Sequence, residues 1–343
     1  MVSGQTYRLR LINTAVDHTF VVSFDNHPFT IIAVDFVPVV PRTGVTQVTL
    51  NVGQRVDIII NANQAANNYW MRVQRGCPTA GEADIYDSAA VANGQVVPGG
   101  ILHYSTAGTN NPTSTPYTLS QTCNDEVVTP KWTRTVPSTN FATSVGKLNY
   151  TLGTTQRAGN TIVAWFINQS TMVADWSNPT LQYVVNGITT YPASMNLYQL
   201  SGTATTWTYW VMQWTGGNGP PLPHPVHLHG HNFYVLGAGQ GTFSGTTAGL
   251  NFNNPVRRDT AMIPANGWIV VAFLLDNPGA WLMHCHIAWH LSEGMSLQFL
   301  ERRSEIQSNI PASQFTGLTN NCNAWRSFYN GPNRVWAETD SGL

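Results

Sequence analysis

One fifteen-residue stretch constrains this chain more than any other: Trp281-Leu-Met-His-Cys-His-Ile-Ala-Trp-His-Leu-Ser-Glu-Gly-Met295. Two histidines flank one cysteine, a third histidine follows five residues after it, and a methionine ten after. In an extended strand successive side chains point to opposite faces. His284 and His286 therefore share one face and Cys285 takes the other. A soft thiolate with imidazole and a distant thioether is the ligand set of a blue-copper electron-transfer site. The two histidines on the far face are left to bind a different metal, joined to the first site through the backbone.

Such a strand needs a partner of matching parity, and the run His224-Pro-Val-His-Leu-His-Gly-His231 supplies one. His227 and His229 share a face, while His224, an odd number of positions away and beyond Pro225, turns toward the other. The blue site is then His224, Cys285 and His290, with Met295 as weak axial ligand. The second set is His227, His229, His284 and His286. The competing reading is a handful of structural histidines beside a buried free cysteine. Seven of the ten histidines fall in these two stretches, His231 included, and the shared parity favours metal.

At these residues the chain resembles the fungal laccases, three-domain multicopper oxidases, and most of all their ascomycete group. The matching stretches are His224–His231, Asn-Pro-Val-Arg-Arg-Asp-Thr (254–260), Asp-Asn-Pro-Gly-Ala-Trp (276–281) and His-Cys-His-Ile-Ala-Trp-His (284–290). Gln298-Phe-Leu-Glu-Arg302 and the terminal Asp340-Ser-Gly-Leu343 continue it. The resemblance implies oxidation of phenolic donors at a blue copper and four-electron reduction of dioxygen to water at a three-copper cluster. It implies that His290 meets the donor and that Cys285 passes the electron along the backbone to His284 and His286. His227 is expected on the lone copper, and His229, His284 and His286 on the paired ones. Asp17, in Asn13-Thr-Ala-Val-Asp17-His-Thr-Phe20, matches the family's substrate-binding acid; a carboxylate there assists loss of the phenol proton. Read from the residues alone, Asp17 is a turn aspartate. Met295 departs from the Leu or Phe of many fungal laccases and implies a lower copper potential.

Length and composition agree. At 343 residues the chain has room for two or three domains. Charged residues are only 10% and the net charge is −1, so nothing favours nucleic acid or an anionic membrane as partner. No apolar run approaches the ~20 residues of a membrane span. Many short Val/Ile/Thr runs between Gly, Pro and Asn read as strands and turns, and the fold class is all-β: tandem cupredoxin-like Greek-key β-sandwiches with a partly helical C-terminal tail. Strands are expected at 7–12, 19–24, 29–34, 46–51, 55–60 and 69–74, then at 147–152, 161–167, 206–214, 226–236, 268–275, 280–286 and 296–301. Residues 1–105 form a sandwich without copper ligands, 106–145 a Thr/Ser/Pro/Asn-rich connector, 146–303 the copper sandwich and 304–343 the tail. An internal echo supports duplication: aligning Trp70 with Trp281 puts Val73 and Gln74 where the later copy has His284 and Cys285.

Further expectations follow from the resemblance. The family carries two more His-X-His motifs in a first domain, and this sequence has none before His227. The sequence is therefore expected to lack that domain and part of the next, and to hold half of the cluster ligands. Cys77 and Cys123 match a family disulfide; Cys322 matches a cysteine whose partner lies in that first domain. The last residues, 340–343, resemble a processed end that plugs the channel to the cluster, or else form a loose polar tail. Asn149-Tyr-Thr and Asn168-Gln-Ser are glycosylation acceptors, and with the resemblance they imply a secreted parent protein, although the sequence opens without a signal peptide. Two alternatives stand beside the laccase reading: a non-enzymatic blue-copper electron-transfer or copper-binding module, and an ascorbate or metal-ion oxidase.

Overall fold

The computed structural model describes residues 1–77, 99–120, 122–157, 159–217, 219 and 222–332. The 340–343 end lies outside these. Two compact units emerge, one of residues 1–135 with 253–262, the other of 136–252 with 263–343.

The first unit holds two four-stranded sheets built from β1 (Thr6–Ile12), β2 (Phe20–Phe24), β3 (Phe29–Val34), β4 (Val37–Val45), β5 (Gln47–Leu50), β6 (Arg55–Asn61), β7 (Asn68–Arg75) and β8 (Gly99–His103). Their orders are β1-β6-β3-β4 and β5-β2-β7-β8. Alternation drives the packing: Val56, Ile58 and Ile60 of β6 are buried and meet Phe29 and Ile31 of β3 and Val22 and Phe24 of β2. Strand β4 is not among the expected strands because Pro38, Pro41 and Gly44 interrupt its pattern. It runs on a sheet edge, where proline removes no ladder hydrogen bond. Cys77 and Cys123 are joined by a disulfide, as the resemblance implied.

The second unit contains β9 (Val145–Arg157), β10 (Asn160–Ile167), β11 (Leu197–Leu200), β12 (Trp207–Gly217), β13 (His224–Leu228) and β14 (Phe233–Gln240), with short helices α1 (Phe141–Ser144) and α2 (Thr180–Val185). Beyond β14 the chain enters the first unit through β15 (Val256–Arg258) and β16 (Thr260–Ile263). It then completes the second unit with β17 (Gly267–Leu274), β18 (Gly279–Cys285), α3 (Ala288–Ser292) and β19 (Ser296–Glu301). One sheet runs β10-β9-β12-β17-β14 and the other β11-β19-β18-β13. Rings from the two sheets meet in the core: Phe299 of β19 lies 4.7 Å from Trp210 of β12 and 5.6 Å from Phe273 of β17.

The expected single strand over 226–236 is two strands. Gly230 breaks it at φ +73°, and a Cβ there would stand 2.4 Å from the Trp281 ring. The segment after 303 is helical, as α4 (Arg303–Asn309) and α5 (Ala312–Tyr329). Cys322 lies on α5, buried, as a free thiol. No helix among the described residues is long and apolar enough to cross a membrane.

Candidate metal centre

The ligand candidates sit on two paired strands and one short helix. Antiparallel pairing of β13 with β18 places Val226 opposite Cys285 and His227 opposite His284. The His286 N–H donates to the Pro225 carbonyl at 2.7 Å and the His229 N–H to the Leu282 carbonyl at 2.9 Å, which continues the register at both ends. Parity then sorts the side chains as the sequence implied.

On the inner face His224, Cys285 and His290 converge. The Nδ1 atoms of His224 and His290 are 3.1 Å apart, and Cys285 Sγ is 3.6 Å from each. The centre of that triangle lies about 2.0 Å from all three atoms, the bond length of a first-row metal ion to imidazole nitrogen. Among the described residues this is the one group of three or more His, Cys, Asp or Glu side chains with ligand atoms this close. A His₂Cys trigonal set is the blue-copper arrangement, so the residues fit copper. His224 and Cys285 are fully buried, whereas His290, on α3, is partly exposed. Met295 is also fully buried, and its backbone is tied to the site: its carbonyl accepts the Cys285 N–H at 3.1 Å and its N–H donates to the His290 carbonyl at 2.9 Å.

Burial pushes the His224 imidazole well below its ordinary range, and the neighbouring His290 adds to this. His224 therefore stays neutral, with a lone pair for a metal. Aromatic rings wall the site. Trp165 lies 4.8 Å from both the His224 and His290 rings, and Tyr150 lies 5.2 Å from His224 with its hydroxyl buried and unpartnered. Neither ring was singled out by the sequence reading. Their only signal was the aromatic content of β9 and β10, which strands have in any case.

On the outer face the second set also assembles. The rings of His227, His229, His284 and His286 lie 4.9 to 5.8 Å from their neighbours. His284 Nδ1 donates to the Cys285 carbonyl at 2.8 Å, which leaves its Nε2 as the free nitrogen, 3.1 Å from His229 Nε2. Burial lowers the His284 pKa to about 3, with smaller downward pushes from the other three imidazoles and an upward one from the Cys285 carbonyl. This face is more open: His229 is exposed and His227 and His286 are partly so.

Asp17 belongs to the first unit, on the loop between β1 and β2. The loop is shaped by Asn13, whose amide donates to the His18 and Leu50 carbonyls and accepts the Ala15 N–H. The Asp17 side chain is half exposed, with His18 Nδ1 4.0 Å away.

Comparison with known proteins points in one direction. Multicopper oxidase family profiles match residues 1–107 and 155–305. The chain is 48% identical to Laccase-3 of Botryotinia fuckeliana over 87% of its own length and 65% of that protein. It is 39% identical to the laccase of Neurospora crassa over 100% of its length and 54% of that protein. The crystal structure of a laccase from Botrytis aclada superposes with a TM-score of 0.84 at 36% identity, covering 100% of this chain and 59% of that one. The chain thus spans between 54% and 65% of the length of these relatives.

Proposed function

Because the chain belongs to the multicopper oxidase family, we propose that it carries the donor-oxidising site and part of the oxygen-reducing site of a laccase-type oxidase. The whole protein would oxidise phenols and reduce dioxygen to water. The single observation that carries this reading is the His224–Cys285–His290 triangle with an imidazole quartet on the reverse of the same strand. Copper held in the triangle would supply reversible one-electron exchange.

His290, alone among the three, is not fully buried, so it is the ligand a donor ring can touch. Trp165, Tyr150 and the buried His224 exclude water behind it. Met295, fully buried and tied through its backbone to Cys285 and His290, would offer its thioether to copper held in the triangle. Asp17 accepts the phenol proton in the assembled enzyme; its carboxylate is half exposed and free to do so. His227 would help to hold the lone copper of the cluster, and His229, His284 and His286 the paired ones. The two units are the family's second and third domains, the first taking in 106–135 and 253–262 besides the expected 1–105. The protein is secreted. A mass decrease on enzymatic removal of N-glycans is the expected result for the protein purified from its natural host, and an unchanged mass would count against it. Asn149 is the better acceptor, because the Asn168 amide nitrogen already donates to the Lys147 carbonyl at 2.7 Å and to the Tyr198 hydroxyl at 2.9 Å.

A second reading, an electron-transfer module without turnover, is favoured by the contrast between the closed triangle and the open quartet with its exposed His229. Oxygen uptake with a phenolic donor, alongside copper content, separates the two. On the chain alone we expect about one tightly held copper, as a four-ligand soft site implies, and no sustained turnover. Cys285→Ser tests both readings, since a harder ligand abolishes the blue colour and all donor oxidation. A Cys285→Ser protein that stays blue would overturn the assignment.

A further inference from the structure

Glu301 ends β19 with its carboxylate fully buried beside Leu300 and Phe299. A buried carboxylate is expensive unless paired, so its partners reveal what it holds. One oxygen, Oε1, accepts the Asn277 N–H at 2.8 Å; the other, Oε2, lies 2.7 Å from His231 Nε2. Asn277 then donates its side-chain amide to the Gly230 carbonyl at 2.9 Å and accepts the Trp281 indole N–H at 2.7 Å. His231 is buried, with the Phe273 ring 4.9 Å away and an Asp276 carboxylate oxygen 3.7 Å from its Nδ1.

These contacts explain the one histidine of the 224–231 run that joins neither metal set. With Glu301 Oε2 2.7 Å from its Nε2, His231 meets a carboxylate and joins neither metal set. They also bracket a ligand. His229 is exposed, and its ring meets those of His227 at 4.9 Å and His284 at 5.2 Å. Its backbone N–H donates to the Leu282 carbonyl, the next carbonyl accepts from Asn277, and the residue after that sits against the Glu301 carboxylate.

We infer that Glu301 and His231 are a positioning pair that locks the 229–231 turn and so aims His229 at its metal. The inference rests on the quartet being a metal site. Supporting partners of metal ligands typically cost about 10–100-fold in affinity when removed.

The test uses the purified chain with its triangle first loaded with one copper, so that the blue band reports an intact second unit. Cobalt(II) is then titrated, and its visible bands report binding to the imidazole quartet. Glu301→Gln and His231→Ala are expected to weaken cobalt binding by about tenfold or more while the blue band is kept. His231→Gln keeps an N–H toward Glu301 and should recover part of the loss. Should Glu301→Gln lose the blue band through misfolding, Asn277→Ser carries the test. It removes the amide bond to the Gly230 carbonyl and should weaken cobalt in the same direction. Unchanged cobalt affinity in the blue variants overturns the positioning pair. Absence of a cobalt site in the unmutated chain overturns the quartet reading and the pair with it.

Discussion

Replacing Arg258 with Met should destabilise the first unit by about 3 kcal/mol at neutral pH, and by less in acid. Arg258 is 1% exposed, and its Nε donates to Asp35 Oδ2 at 2.9 Å; Asp35 is 1% exposed as well. Methionine keeps much of the apolar stem and deletes the charge. Removing one member of a buried ion pair typically costs 3–5 kcal/mol, because the other charge is left uncompensated. The lower end applies here, since Asp35 Oδ1 still accepts the Arg55 N–H at 3.0 Å and has the Arg55 guanidinium 3.6 Å away.

The pH dependence follows from Asp35 itself. Burial pushes its carboxyl up, opposed by the Arg258 charge and reinforced by that of Asp259. Deleting Arg258 removes the opposing influence, so the folded-state value rises further above the unfolded one, which is about 4. A raised folded value means stability that is fully present below the unfolded pKa and lost as pH rises through the folded one. The deficit of the variant should therefore be smaller near pH 5 than near pH 7.5. Urea unfolding at the two pH values measures it. Adding Asp35→Asn should recover part of the loss, because it removes the fully buried charge; the Asp125 carboxylate, 3.5 Å from Arg258 Nη1, still loses its partner. A deficit below ~1 kcal/mol for Arg258→Met, or one independent of pH, would refute the reasoning.

Other consequences can be checked in the same way. Met295→Leu should cost less than ~1.5 kcal/mol, being close to volume-conserving, and raise the copper potential; a redox titration showing no change or a fall would remove Met295 as the axial ligand. In the complete oxidase Asp17→Asn should slow phenol oxidation at acidic pH and spare a donor with no proton to lose, and equal loss on both donors would make Asp17 a folding residue. Tyr150→Phe should stabilise the chain by about 1 kcal/mol, since it deletes a buried hydroxyl without a partner; a loss in thermal unfolding would mean that the hydroxyl is held by a buried water. Stripping copper with a chelator should leave the circular dichroism of the second unit unchanged, and collapse of the β signal would contradict a preformed site.

The sequence made the face taken by each candidate ligand legible because strand alternation is a strict rule. Once residues 280–286 are extended, Cys285 cannot share a face with His284, and the observed pairing of His227 with His284 obeys it. Alternation also located most core strands, such as β6 with its buried Val56, Ile58 and Ile60. It failed where the pattern is local but the cause is distant. Strand β11 (Leu197–Leu200) pairs in parallel with β19, which is about a hundred residues away, and nothing local marks it. Gly230 looks like a residue inside a strand until the Trp281 ring that occupies its missing Cβ is seen. Glu301 read as part of a family motif, because a pairing with His231 seventy residues earlier leaves no periodic trace. The Cys77–Cys123 bond was legible only through the resemblance, as four cysteines allow three connectivities.

What unites the legible and the illegible parts is that the candidate ligands are joined to one another by hydrogen bonds of their own backbones. The Cys285 N–H is bonded to the carbonyl of Met295, the Met295 N–H to that of His290, and the His286 N–H to that of Pro225, which follows His224. His284 is bonded through Nδ1 to the Cys285 carbonyl. The backbones carrying the inner triangle and two of the outer imidazoles are therefore one hydrogen-bonded network at the end of β18. A site built this way loses little freedom when an ion arrives. The outer face lacks this closure around His229, whose position depends instead on a turn clasped by Asn277, His231 and Glu301. The triangle and the quartet thus share one strand but differ in their surroundings: the inner residues are joined through their own backbones, the outer His229 precedes a turn that Asn277 and Glu301 contact.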